Sequence, residues 1–509
     1  TANRWMMTDV LRNRWGFNGM LVTDYASIAE ILQHGTAQNL KQAGEEALHA
    51  GTDMDMCAKA YVQHLAQSVK EGKVSEEEIN QACRRVLEAK YRLGLFKDPY
   101  RYCDTKRSKK DIYTLDNRKV ARDVAAETFV LLKNENNILP LKKEGKVALI
   151  GPLADTRNNI AGTWSVAQAP EKYTTLKEAM QQALKGKAEL LYAQGSNIWR
   201  DAQLQKNGEL DKPIQRGDNE LLKAEAIKVA KDADIIVCAM GESADMSGEC
   251  GSRTNLEMPD VQHELLAELV KLGKPVVLLN FSGRPTVLTW EKEHVPAIMN
   301  VWFGGSEVGD AICDVLFGDK VPSGKLTTSL PKTTGQEPLY YNHQNTGRPV
   351  PDDNPRFAKF ASNYLDVSNG PLYPFGYGLS YTTFSYGDLR LSQSQASIAT
   401  NEADAWKNDE KITATITVQN TGNKDADEVV QLYIRDMVCS ISRPIKELKG
   451  FQRIHLAAGE SREVSFDITP EMLKFYNAEL KHILEPGDFE IMVGTNSKDV
   501  KMQPLTIGM

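Results

Sequence analysis

No run of apolar residues in this chain approaches the roughly 18 that a membrane-spanning helix needs, and no basic block occurs anywhere in it. The first absence argues against a membrane span. The second, with 61 Lys and Arg against 68 Asp and Glu and a formal charge of −7, argues against nucleic acid or an anionic membrane surface as a partner, so the acid excess serves solubility. Cysteine is sparse and scattered: Cys57, Cys83, Cys103, Cys238, Cys250, Cys313 and Cys439 form no C-x-x-C pair and have no histidines nearby. Neither a zinc site nor a disulfide framework is therefore indicated, and most of these thiols are expected to be small buried apolar groups. No glycine turn spells G-x-G-x-x-G or G-x-x-x-x-G-K-S/T, so no dinucleotide or phosphate site is supported, and nothing demands a metal or an organic cofactor. No signal peptide is visible at the start.

What is present is an ordinary globular composition, 41% apolar, 25% charged and 7% aromatic, over 509 residues. That length suits about three domains of roughly 150 residues each. The glycine-bounded run Met20-Leu21-Val22 is too short and continuous for a surface helix and reads as a strand buried on both faces, leading to Asp24. Asp24 then stands where a strand gives way to a loop, the edge at which barrels of alternating strands and helices place their chemistry. The alternative is that it caps the helix that follows. Leu40, Ala43, Ala47 and Leu48 give Ala37 to Ala50 a helical period that Gly51 stops. Thr52 to Met56 reads as another short strand with Asp53 and Asp55 on one face, either supporting a pocket or making structural hydrogen bonds. Helices are expected over Ala58 to Glu71 and over Ser75 to Leu93, the latter opened by a capping box of Ser75 and Glu78. The polar stretch Lys97 to Asn117 is a linker.

From about Arg118 buried strands alternate with amphipathic helices, the sign of a mostly parallel sheet covered on both faces. The clearest strands are Val147 to Ile150, Ile235 to Ala239, Val276 to Leu279 and Ala297 to Val301. The long polar loop from Gly241 to Arg253 follows the second of these, at the strand edge where open parallel sheets gather ligand groups. Glu242, Asp245 and Glu249 all qualify there as acids, and the pattern does not choose among them or against a merely solvated acidic loop. The proline- and aromatic-rich stretch from Pro322 to Tyr381 reads as a strap packed across domains. Beyond Thr382, alternation over Lys411 to Gln419, Val429 to Ile434 and Phe489 to Val493 suggests a β-sandwich of fibronectin type III kind.

The run from Leu11 through Trp15-Gly16-Phe17-Asn18-Gly19 to Asp24, followed by His34-Gly35 and Ala50-Gly51-Thr52-Asp53-Met54-Asp55-Met56, resembles the end of the catalytic barrel of family 3 glycoside hydrolases, of the bacterial periplasmic β-glucosidase type. The passage from Gly241 to Pro259 and Gln262, and the blocks Pro322 to Leu326, Pro338 to Tyr341 and Pro374 to Tyr381, are similar to later parts of that family. The resemblance implies that Asp24 is the nucleophile and Glu249 the general acid/base. Where the family usually has Ser-Asp-Trp this chain has Thr23-Asp24-Tyr25, so Tyr25 is the ring implied beside the substrate. Many members have Asp-Arg where Ser252-Arg253 stands, so no role is carried to that neighbour. The implied architecture is the end of a (β/α)8 barrel in residues 1–96, a linker in 97–117, an α/β sandwich in 118–330, an interdomain strap in 331–381 and a fibronectin type III-like domain in 382–509. Earlier barrel strands, with the groups that grip the terminal sugar, are expected to precede Thr1, and the chain is expected to be an inactive fragment without them.

Cleaving a sugar acetal takes one carboxylate to attack the anomeric carbon and another to protonate the departing oxygen, held about 5–5.5 Å apart in retaining enzymes. The resemblance thus implies a retaining, exo-acting β-glucosidase that removes terminal non-reducing glucose from β-linked oligosaccharides. It implies a periplasmic or secreted location and no cofactor. The expected partners are the oligosaccharide or β-glucoside substrate and the missing N-terminal barrel portion, with a homodimer as an open assembly. A β-xylosidase of the same family is the near alternative, and a non-catalytic carbohydrate-binding module is the alternative from another class.

Overall fold

The computed structural model of the chain describes residues 1–165, 169–209, 213–407 and 411–509. They fall into two compact units, Thr1–Thr114 and Leu115–Met509.

In the first unit three helices, Leu40–Ala50, Ala60–Lys70 and Glu76–Arg92, supply most of the buried apolar side chains. Ala43, Ala47 and Ala60 meet Ile28 and Ile31 in one cluster, and Leu48, Leu65, Val74 and Ala82 form a second. The first helix starts at Asn39, whose side chain accepts from the Gln42 amide, and stops at Gly51 with φ 102°, a left-handed value that favours glycine. The capping box of Ser75 and Glu78 forms as expected. The two expected strands are much reduced. They amount to one parallel bridge between Val22 and Met54, flanked by Thr23 N to Met54 O and Met54 N to Leu21 O, each 3.0 Å. The Val22 and Met54 side chains are exposed, a correction to burial on both faces, because two segments pairing only with each other do not build a layered sheet. Residues 97–114 are mostly exposed turns with one short helix, Arg107–Asp111.

The second unit is built on a six-stranded sheet. Its strands are β1 (Val130–Asn134), β2 (Lys146–Ile150), β3 (Glu189–Ala193), β4 (Ile235–Gly241), β5 (Val276–Phe281) and β6 (Ala297–Asn300), in the spatial order β1-β6-β5-β4-β2-β3. All neighbours are parallel except β1 and β6. β5 and β6 are buried throughout, as short apolar runs in a doubly covered sheet should be. Helices Asn219–Asp232 and Asp260–Val270 lay Ala226, Ala230, Leu265 and Leu269 on Ala148, Ile150, Ile236, Cys238 and Leu278. Helix Val308–Leu316, almost wholly buried, packs against Leu115–Thr128 and Leu176–Leu184.

In the all-β part β10 (Ile412–Asn420) follows the expected alternation, with inward residues on every second position. Val430 to Ile434, by contrast, are buried without a break, a correction to the alternation expected there, because Gln431 and Tyr433 are covered on the other face by Gly376 and Tyr341. One sheet joins β10 to β7 (Phe384–Tyr386), β8 (Arg390–Leu391) and β13 (Ser461–Ile468). The other has the order β12 (Glu447–Leu456), β11 (Ala426–Asp436), β16 (Gly487–Gly494), β17 (Val500–Gly508) and β9 (Gln395–Ser397). A small hairpin pairs β14 (Phe475–Tyr476) with β15 (His482–Ile483). Between sheet and sandwich the chain bridges Leu330 to Tyr373 and Leu379 to Leu131, and Gln431 Nε2 donates to Gly376 O at 3.0 Å.

All seven cysteines are free, and only Cys238 and Cys313 are buried. Cys57, Cys83, Cys103 and Cys250 are exposed, which corrects the expected burial of most thiols: they lie on helix surfaces and turns rather than in strands. Among the described residues no helix is long and apolar enough to cross a membrane.

Candidate active site

In the first unit the chain around Asp24 is fastened by a buried carboxylate that is not Asp24. Asp53 Oδ2 accepts from Arg12 Nη2 at 2.7 Å and from the Leu21 amide at 2.8 Å, and its Oδ1 accepts from Arg85 Nη1 at 2.8 Å. Arg12 also donates to Gly19 O and Gly51 O, both at 3.0 Å, so one guanidinium ties both short strands together. Desolvating these charges is offset only because each is paired on several sides. The Asp55 carboxylate accepts from Ala58 N at 2.9 Å and Ala60 N at 2.7 Å, fastening the turn that leads into Ala60–Lys70, whose N-cap is Lys59. Both aspartates therefore make structural hydrogen bonds.

Asp24 sits just beyond this frame. Thr23 is buried, with its hydroxyl accepting from Met56 N at 3.0 Å, while Asp24 is exposed and its Oδ1 accepts from the Tyr25 amide at 2.6 Å. It does not cap the following helix Ser27–Glu30, whose first turn has no side-chain cap. Tyr25 is 68% exposed. Its hydrogen bond with the Cys57 thiol holds the phenol above its ordinary range.

The second unit carries the loop after β4. Gly241, at φ 130°, lets β4 pass so close to β5 that a Cβ there would lie 2.0 Å from Phe281 O. Glu242 follows and is 1% exposed. Its Oε1 accepts from Arg253 Nη1 at 2.7 Å and lies 3.0 Å from Arg284 Nε, and its Oε2 accepts from Gly283 N at 3.3 Å. The two arginines carry the hold onward into the loop. Arg284 Nη2 donates to Met246 O and Gly251 O, while Arg253 Nη2 donates to Glu257 O at 2.9 Å. Gln262 closes the base of the loop, accepting from Gly241 N at 2.8 Å and donating to Gly241 O at 2.9 Å. Asn159 Oδ1 accepts from Ala244 N at 3.0 Å, and the Thr163 hydroxyl bonds the carbonyls of Ala244 and Ser247.

Of the three acids in the loop, Glu242 is thus consumed by its arginines and Asp245 is half-buried in the turn Ala244–Met246. Glu249 stands exposed at the tip of the turn that Gly251 N closes on Gly248 O at 3.1 Å. The structure places Asp24 and Glu249 each as an exposed carboxylate beside a buried, arginine-paired one. Glu209 was not singled out in the sequence. It is buried beside the loop, near Asp245, and burial pushes its carboxyl up to about 7. Its only sequence signal was an acid closing the helix Ala202–Gly208. Among the described residues no group of three or more His, Cys, Asp or Glu side chains could hold a metal ion.

Three family models match the chain: the glycosyl hydrolase family 3 N terminal domain over residues 1–89, the glycosyl hydrolase family 3 C-terminal domain over 129–381 and a fibronectin type III-like domain over 428–497. The chain is 43% identical over 507 residues to a periplasmic β-glucosidase of Salmonella typhimurium, covering 98% of this chain and 65% of that protein. It is 35% identical over 521 residues to a β-xylosidase of Formosa agariphila, covering 99% and 67%. The crystal structure of a β-glucosidase from Listeria innocua in complex with isofagomine superimposes with a TM-score of 0.87 at 36% identity, over 100% of this chain and 66% of that one. The chain thus spans about two thirds of the length of these relatives.

Proposed function

The chain belongs to glycosyl hydrolase family 3, and from that premise we propose that the protein is a retaining, exo-acting β-glucosidase of the periplasm that removes terminal glucose from β-linked oligosaccharides. The observation that carries this reading is the 43% identity to a periplasmic β-glucosidase along nearly the whole chain. It is supported by the structural likeness to the Listeria innocua β-glucosidase, which has been crystallised with isofagomine and with glucose.

In this reading Asp24 is ionised and attacks the anomeric carbon, forming a glycosyl ester as the aglycone oxygen leaves. Glu249 protonates that oxygen, then takes a proton from the water that opens the ester. Exposure suits both roles, since each group must meet a sugar rather than a neighbouring guanidinium. Tyr25 contributes a ring next to the nucleophile, on the aglycone side. The buried partners Asp53 and Glu242 hold the two segments in place.

Turnover of nitrophenyl β-glucoside and β-xyloside by the full-length protein tests the reading. We expect the glucoside to be preferred, Asp24→Ala to lower kcat by on the order of 10⁴-fold or more, and azide to rescue Glu249→Gly on the activated substrate. A preference for the xyloside would move the assignment to β-xylosidase, which the 35% identity to such an enzyme favours second. Binding of sugar without hydrolysis of either substrate would leave a carbohydrate-binding protein.

A further inference from the structure

Within the second unit a cavity of about 440 Å³ opens between the strap and the sandwich, and its lining shares no residue with the loop from Gly241 to Arg253. Its walls combine three phenol rings with charge. Tyr341 lies stacked on Phe375 with ring centroids 4.2 Å apart, and its hydroxyl accepts from Leu448 N at 3.1 Å, so it is fixed in place. Tyr340 and Tyr364 also line the cavity and stay 63% and 40% exposed. The loop that bears Tyr364 is held by the Asn363 side chain, which accepts from Ala358 N at 2.8 Å and donates to Ala358 O at 2.9 Å and Ala361 O at 3.0 Å. Gln336 pins the following turn, its Nε2 donating to Ser368 O, Asn369 O and Gly370 O. The cavity is therefore a formed one, of a size suited to a small ligand.

Its charge is unbalanced by one. Lys498 is paired with Asp352 at 3.4 Å, whereas Lys446, also lining the cavity, donates to Ser497 O at 2.7 Å and has no carboxylate within ion-pair distance among the described residues. Burial pulls the Lys446 ammonium below its ordinary range, with Asp352 and Glu490 opposing the shift and Lys498 and Arg435 adding to it. A half-buried ammonium with donors to spare is stabilised by a ligand that brings one negative charge and hydrogen-bond acceptors.

We propose that this cavity binds a hexuronic acid, the acidic end of a glycan: the ring packs on the tyrosines and the carboxylate accepts from Lys446. Exposed phenol faces suit the C–H face of a pyranose, and the single uncompensated cation selects a monoanion over a neutral sugar. A carboxylate on an aromatic ring would offer the same charge, and the experiment separates the two.

The 509-residue chain is titrated calorimetrically with glucuronate, glucose and benzoate at low salt. Glucuronate is expected to bind, glucose and benzoate to bind at least about tenfold more weakly, Lys446→Met to weaken glucuronate about tenfold, and Lys446→Arg to keep it, the usual scale for one charge-assisted hydrogen bond. Tyr364→Ala, at a half-exposed position, weakens glucuronate too and serves if Lys446→Met does not fold. Glucose binding as well as glucuronate removes the carboxylate from the proposal, benzoate binding as well removes the sugar, and no glucuronate binding at millimolar concentration overturns it.

Discussion

Glu209 shows how one buried side chain sets a pH dependence. Its Oε1 accepts from Ile214 N at 3.0 Å, and burial, reinforced by Asp245, outweighs that bond and nearby Arg216 to lift the carboxyl from 4.5 to about 7. Between those values the unfolded chain has released the proton while the folded chain keeps it, so this group makes stability fall as pH rises through that window. Glu209→Gln, which cannot ionise, is expected to melt higher than the parent at about pH 8 and to lose that advantage near pH 4.5. An advantage of equal size at both ends would show that the carboxyl ionises freely in the folded state. At this scale the sequence was least legible. Glu242, Asp245 and Glu249 are equivalent as letters, and what separates Glu242 is Arg284, 42 residues on and across a strand pairing, a contact no local spacing reports. Asp53 is the same case, its partners Arg12 and Arg85 lying far apart in the chain. Asp55 was closer to readable, because its partners Ala58 N and Ala60 N lie within five residues of it.

At the scale of elements the sequence was far more informative. Val147 to Ile150 and Val276 to Leu279 are apolar runs closed by turn residues, and they are strands within a residue or two of where the pattern set them. The Ser75 and Glu78 box marked a helix start because its two hydrogen bonds are local. β1 was missed, since Val130–Asn134 follows directly on the helix Leu115–Thr128 with no turn residue to announce it, and its antiparallel pairing with β6 depends on a partner far along the chain. Glycine positions extend the reading to packing. Gly241→Ala would set a methyl against the Phe281 carbonyl, in a backbone region that alanine avoids, whereas Gly273, at φ 70°, has open space around it. We expect urea unfolding to show Gly273→Ala costing about 1 kcal/mol from backbone conformation alone and Gly241→Ala costing about 3 kcal/mol or more. Equal losses would mean that β4 and β5 can part without penalty.

For the molecule as a whole, the two units have separate cores, and residues 97–114, at the end of the first, include the exposed trypsin sites Arg107, Lys109 and Lys110. Proteases favour such exposed polar segments. Brief treatment with trypsin is expected to cut here first, giving two fragments whose masses place the break within this stretch; first cuts inside β4 or β5 would contradict the division. The fastening of Glu242 by Arg253 and Arg284 also has a consequence for synthesis. A nascent polypeptide that has left the ribosome only as far as the residues just after β4 carries Glu242 without either guanidinium, and Arg253 alone supplies half of the later arrangement. The segment bearing Glu249 can take its final shape only once residue 284 has emerged and β5 has joined β4, so this corner matures after the strand that precedes it.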